Sequence, residues 1–254
     1  MIYFNDSMKN AICFENNKNI IFHTNPGDSC SLLPGEVHLW LATIDHVPER
    51  SLSVDEQIKL SAMKLPFVAR RFESTRKLLR YLLGVYLKCP DGHIKKTDQG
   101  KPFLPEFPEF HFNVTHSKKM IMVALSRGSV GVDLERMRKI DVVSIAKRFF
   151  SPQELLFLQE EGQVQNQQIF FKLWTAKEAA LKADGGGIAS GMKNNVATME
   201  EAHVCSIVLN KRSWEISSWQ LESESECFFG AIATIFVPAV IHWYDLRTFD
   251  KVSS

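Results

Sequence analysis

Apolar positions recur along this chain with two periods, and the switches between them mark its elements. Val37-His38-Leu39-Trp40-Leu41 alternates and predicts a strand. Phe110-His111-Phe112-Asn113-Val114, Met120-Ile121-Met122-Val123-Ala124-Leu125 and Val130-Gly131-Val132-Asp133-Leu134-Glu135 predict three more, the first two joined by a polar turn. Residues 204–209, 213–221 and 227–236 read likewise as strands. Helical spacing over 76–87 brings together Leu78, Leu79, Leu82, Leu83, Tyr86 and Leu87, with Arg76, Lys77 and Arg80 displayed elsewhere. Ser53 followed by Glu56 is a capping box, and Ser151 followed by Pro152 opens a further helix. A longer helix is expected over 167–183, ending at Gly185-Gly186-Gly187.

Residues 1–35 are polar and irregular. Turn signals at Asn16-Asn17-Lys18-Asn19 and Asn25-Pro26-Gly27-Asp28 separate short apolar runs, Ile12-Cys13-Phe14 and Ile20-Ile21-Phe22, that could pair as strands over the first half. Each half of the remainder holds strands and helices without regular βαβ alternation, which predicts an α+β fold. The expected organisation is an extension over 1–35, a first half over 36–128 and a second over 129–254.

Composition narrows the class. The 254 residues suffice for a real core, and 45% hydrophobic with 23% charged residues excludes a disordered chain. Thirty Lys+Arg against 29 Asp+Glu leave a net charge of +1, which argues against a nucleic-acid coat and predicts no nucleic-acid partner. Five cysteines without a CxxC pair fit a reducing compartment, so the cytoplasm is expected. No stretch reaches ~18 consecutive apolar residues and the first residues carry no basic run, so neither a membrane span nor a signal peptide is expected.

Asp133 and Glu135 sit two apart in a strand and share a face, while Leu134 points into the core. The pair is open to two readings: a solvated strand face, or a hard-cation site of the kind Mg²⁺ occupies with substrate phosphates. Glu178 and Lys182 are i,i+4 in Trp174-Thr175-Ala176-Lys177-Glu178-Ala179-Ala180-Leu181-Lys182. They are either a surface ion pair or an acid and a base presented to a metal–diphosphate centre. Lys101 in a Pro-stiffened loop, with Thr115, His116 and turn amides, could cradle phosphate; the plainer alternative is a hairpin turn with His116 idle.

In order and at similar spacing, five blocks resemble the surfactin-type 4′-phosphopantetheinyl transferases. They are Gly100-Lys101-Pro102, Phe112-Asn113-Val114-Thr115-His116-Ser117, Gly131-Val132-Asp133-Leu134-Glu135, Ala146-Lys147-Arg148-Phe149-Phe150-Ser151 and the block 174–182. The resemblance implies two similar α+β halves about a pseudo-twofold axis, with coenzyme A in the cleft between them. It implies Mg²⁺-dependent transfer of the 4′-phosphopantetheine arm of coenzyme A to a serine of an acyl or peptidyl carrier protein, releasing 3′,5′-ADP. By the same resemblance Asp133, Glu135 and Glu178 are metal ligands. Glu178, directly or through a metal-bound water, is also the base for the carrier serine. Lys182 contacts the diphosphate and counts with Glu178 as catalytic. Lys101, Thr115 and His116 hold the nucleotide, His116 at the 3′-phosphate. Arg76 lies near the same phosphate, and Lys177 joins the coenzyme A ligands.

Two departures stand out: Thr115 replaces the usual serine, and residues 1–35 exceed the family's minimal members. Arg136, Arg138, Lys139, Lys147 and Arg148, against the single acid Asp141 and followed by Phe149 and Phe150, suit docking of an acidic carrier. Fatty-acid, polyketide and peptide-synthetase carriers all fit that description. Two fused halves make a monomer the expectation. The competing readings are an Mg²⁺-dependent hydrolase of diphosphate nucleotides and a non-catalytic coenzyme A- or carrier-binding module.

Overall fold

A computed structural model describes residues 2–5, 10–15, 19–23, 30–159, 163–186, 191–194, 196–200 and 203–247. The turn signals at 16–18 and 25–28, and Gly187, lie outside the described residues.

Four layers stack as helix, sheet, sheet, helix. The first sheet has the order β3 (Ile20–His23), β14 (Val240–Asp245), β4 (Glu36–Thr43), β8 (Met120–Ser126), β7 (His111–Ser117). In the second sheet, β9 (Val130–Arg136) pairs with β13 (Glu226–Thr234), which pairs with β12 (Arg212–Ser223). The other edge of β12 is shared. Its start pairs with β11 (His203–Leu209) and thence β10 (Val196–Glu200); its later part pairs with β2 (Asn10–Phe14) and thence β1 (Ile2–Asn5). A short hairpin, β5 (Lys95–Lys96) with β6 (Pro102–Phe103), carries the Lys101 loop.

Alternation decides which residues face which layer. Val37, Leu39, Leu41, Met122 and Ala124 from one sheet meet Val130, Val132, Leu134, Trp219 and Phe228 from the other in a dry central layer. The opposite face of the first sheet, with Trp40, Phe112, Ile121 and Val123, packs on Leu78, Leu79, Leu82 and Leu83 of α2 (Pro66–Leu87). The opposite face of the second sheet packs on α5 (Gln163–Asp184) through Phe171, Ala176, Ala180, Phe229 and Ala231. The smaller helices are α1 (Val54–Ser61), α3 (Val142–Phe149) and α4 (Pro152–Gln159).

Ser53 and Glu56 form the expected reciprocal cap on α1, and Ser151 and Glu154 exchange the same pair of bonds at the start of α4. The expected strand pair over the first half is corrected. Strands form around 12–14 and 20–22, but they join different sheets: β2 lies against β12, β3 against β14. Likewise β14, near the chain's end, enters the first sheet in parallel between β3 and β4. The three expected segments are therefore interleaved in space, because the first sheet takes β14 from late in the chain and the second takes β1 and β2 from its start.

Candidate active site

The two sheets meet at a seam of edge strands, β7 and β9. Along β7 the alternate residues Asn113, Thr115 and Ser117 turn one polar face toward β9. Asn113 Oδ1 accepts from the Val132 amide at 2.9 Å, and Ser117 Oγ accepts from the Arg136 amide at 2.9 Å. These side chains satisfy edge amides that would otherwise be orphaned. Between them Thr115 Oγ1 donates to Asp133 Oδ1 at 3.0 Å.

On the other side, α5 lies directly on β9. Gly131 makes that possible: a Cβ there would sit 2.0 Å from the Ala179 carbonyl oxygen and 2.4 Å from the Ala183 amide nitrogen. Asp133 and Glu135 follow Gly131 on the same strand face, so both carboxylates point to the helix side of the sheet. From α5 come Glu178 and Lys182, next to the two alanines that touch Gly131. Lys182 Nζ reaches Asp133 Oδ1 at 2.7 Å, the Val132 carbonyl at 3.1 Å and Thr115 Oγ1 at 3.2 Å. Glu178 is buried. The surface ion-pair reading is thereby overturned: Lys182 is bonded across the seam to Asp133, and Glu178 faces the acids of β9.

The electrostatics follow from this crowding. Burial, then repulsion from Asp133, pushes the Glu178 carboxyl up to about 7. Burial and Asp133 also raise Glu135, which Arg138 Nη1 partly offsets at 3.2 Å. Asp133 Oδ2 is buried with no hydrogen-bond partner. An all-oxygen set of mutually repelling acids with one orphaned buried oxygen suits a hard divalent cation. Here Lys182 supplies the countercharge, and the three carboxylates do not gather as a set within 4.8 Å of one another.

A cleft of about 210 Å³ opens beside these groups, lined among others by Gly100, Lys101, Asn113, Glu178, Lys182 and Gly185. The Lys101 ammonium caps the last turn of α5 through the Ala183 carbonyl, and burial lowers its pKa to about 8. His116, pointing away from the seam, is exposed at its edge; partial burial of the ring, then the Arg71 guanidinium, lowers its pKa.

Three expected ligands are already engaged by other side chains. Lys177 is fully buried with Nζ 2.6 Å from Glu154 Oε2 and 5.2 Å from the Phe150 ring centroid, on the core side of α5. It is not among the residues that line the cleft. α5 is enclosed nearly all round, so a lysine between two site residues turns inward. Thr115 is buried at the seam, its hydroxyl bonded to Asp133 and Lys182. Arg76 is engaged by Glu56 (3.7 Å) and the Phe72 ring; the arginine whose charge reaches His116 is Arg71. The seam residues Asn113 and Ser117 were not singled out from the sequence as site residues. The period-two run of polar side chains inside a strand was their signal.

Among the described residues no helix is long and apolar enough to cross a membrane. The model of the 4′-phosphopantetheinyl transferase superfamily matches residues 129–234. The chain is similar to the 4′-phosphopantetheinyl transferase HetI of Nostoc sp. (strain PCC 7120), at 40% identity over 172 residues, 63% of this chain and 73% of that protein. It is 33% identical over 203 residues to a putative 4′-phosphopantetheinyl transferase, slr0495, of Synechocystis sp. (strain PCC 6803), covering 76% and 81%. It is 35% identical over 155 residues to the transferase Sfp of Bacillus subtilis (strain 168), covering 56% and 69%.

Proposed function

This chain belongs to the 4′-phosphopantetheinyl transferase superfamily, and on that basis we propose how its own residues carry the transfer. It is an enzyme that moves phosphopantetheine from coenzyme A to carrier proteins. The observation that supports the mechanism best is the seam itself, where Asp133 and Glu135 on β9 face Glu178 on α5 and one Asp133 oxygen is buried without a partner.

Asp133, Glu135 and Glu178 would hold Mg²⁺, which when bound neutralises charge on the diphosphate. Thr115 fixes the Asp133 carboxylate through Oγ1. Lys182 carries positive charge at the mouth of the cleft, where the diphosphate would lie. Glu178, with a pKa of about 7, takes the proton of the carrier serine at a carboxylate oxygen. The serine oxygen then attacks the β-phosphorus of coenzyme A, the phosphoanhydride bond breaks, and 3′,5′-ADP leaves. No nucleophile from this chain is needed.

Lys101 and His116, on opposite sides of β7, are the candidates for the nucleotide phosphates. The acidic carrier would dock on α3, where Lys147, Arg148 and Val143 are exposed and Phe149 is half-buried; Phe150 belongs to the core. A helix outside each sheet and two sheets face to face support two related halves about a pseudo-twofold axis. Five free cysteines fit a reducing compartment such as the cytoplasm, and two fused halves would need no second copy.

The test incubates the protein with coenzyme A, Mg²⁺ and an apo carrier, and reads the intact mass of the carrier. A gain of one phosphopantetheine arm, lost with chelator, is expected. Release of 3′,5′-ADP without a carrier would show a hydrolase, and binding without either product a non-catalytic module.

A further inference from the structure

A second cluster of metal-ligating groups lies in the first sheet, under the far end of α2 and apart from the acids of the seam. Glu36 and His38 are two apart on β4 and share a face. His242 on β14 is the direct register partner of His38. All three therefore converge on one spot although β14 comes from the distant end of the chain.

Glu36 Oε2 lies 3.4 Å from His38 Nε2, and Glu36 Oε1 lies 3.5 Å from His242 Nε2. One ligand atom from each of the three residues lies within 4.8 Å of the others. For metal–ligand bonds near 2.0–2.1 Å a tetrahedral edge is about 3.3 Å, close to the distance of each histidine Nε2 from one of the two Glu36 oxygens. The outer nitrogens of both rings are engaged: His38 Nδ1 with the Tyr86 hydroxyl at 2.6 Å, His242 Nδ1 with His23 Nε2 at 2.8 Å. Metal-binding histidines carry such outer partners, which turn Nε2 inward and fix the ring. The Tyr86 hydroxyl also accepts from Trp40 Nε1 at 3.0 Å. His242 Nε2 is buried without a hydrogen-bond partner. Stacking of His23 on Tyr244, ring centroids 4.3 Å apart, holds the outer layer.

We propose that Glu36, His38 and His242 form a second metal site, for a first-row transition ion such as Zn²⁺, with water as the fourth ligand. Two imidazoles and a carboxylate suit Zn²⁺ and its neighbours and disfavour Mg²⁺, so the site is chemically distinct from the seam. Glu36 and His242 keep 16% side-chain exposure each, which leaves room for the water. The ion would tie β14 to β4 directly, and to α2 and β3 through Tyr86 and His23. It would thereby clamp the strand that comes from the distant end of the chain and keep one open position.

The test titrates Zn²⁺, and Co²⁺ as its spectroscopic stand-in, into the full chain held in saturating Mg²⁺. One equivalent should bind, with the visible absorption of four-coordinate Co²⁺. At a hundredfold excess over Kd, Zn²⁺ should raise the melting temperature by roughly 5–10 °C. His242→Gln and Glu36→Gln, checked for folding by circular dichroism, should lose both effects, while Asp133→Ala keeps them. Absence of stoichiometric binding by the unaltered chain overturns the proposal, whatever the variants do. So does binding that survives both substitutions or disappears with Asp133→Ala.

Discussion

Replacing Gly131 by alanine adds one methyl group at the point where α5 touches β9. The new Cβ would meet the Ala179 carbonyl at 2.0 Å and the Ala183 amide at 2.4 Å, both backbone atoms that no rotamer change can move. Relief to an ordinary contact requires α5 to retreat by roughly 1–1.5 Å, at an overpacking cost of ~1–3 kcal/mol. β9 cannot yield instead, because β13 pairs with it along its whole length. The retreat carries Glu178 and Lys182 with it, and the 2.7 Å bond from Lys182 to Asp133 is lost. A misplacement of this size costs about 10²-fold in turnover. Denaturant unfolding and steady-state transfer to an apo carrier measure the two effects. Gly230→Ala is the control: its Cβ would strike the Trp219 indole at 2.3 Å, away from the seam, so stability should fall while the folded fraction keeps its turnover. A Gly131→Ala protein with unaltered stability and kcat would refute the claim that this contact sets the site.

His116→Ala should raise KM for coenzyme A with little change in kcat, and should leave the 3′-dephospho analogue unaffected; equal impairment of both substrates would remove His116 from the 3′-phosphate. Lys101, with its pKa lowered from 10.5 to about 8 by burial, holds fewer protons in the folded than in the unfolded chain between those values. The cost of burying its charge therefore fades and stability rises with pH over that window, while coenzyme A binding weakens as the charge is lost above pH 8. Lys101→Met should flatten both profiles. Lys177→Met leaves Glu154 buried without its ammonium partner. It should cost ~3–5 kcal/mol of stability and leave the KM for coenzyme A of the folded enzyme unchanged; a raised KM at full stability would return Lys177 to the cleft.

Local signals carried much of this fold. The capping box at Ser53 and Glu56, the alternation in β4 and β9 and the apolar run of β8 depend on residues a few positions apart, so the strands and the helix start lie where the pattern puts them. Partner choice is not local. Nothing in Ile12-Cys13-Phe14 or Ile20-Ile21-Phe22 says that one run joins β12 and the other β14, and β14 itself acquires its place only from neighbours distant in sequence. The same limit governed the site. Asp133 and Glu135 were legible because a period of two puts them on one face. Glu178 and Lys182 were legible from helical spacing, but the resemblance alone joined the two sets. Lys177 was named from the resemblance alone, and no local signal said that α5 is enclosed nearly all round and turns this lysine to Glu154. Gly131 did carry a signal, since an isolated glycine in a strand marks close backbone approach. The histidines at 38 and 242 carried none until the parallel pairing set them side by side.

Single-turnover transfer by Glu178→Gln bears most directly on the central claim, that the acids at the β7–β9–α5 seam run the reaction. The substitution keeps size and helix propensity and removes charge and basicity. With coenzyme A and Mg²⁺ saturating, the rate should fall by roughly 10²–10⁴-fold. Coenzyme A affinity should stay near its original value, because Lys101, His116 and Lys182 are untouched. Transfer within about twofold of the unaltered rate, a change of under ~0.5 kcal/mol in the barrier, would contradict the account.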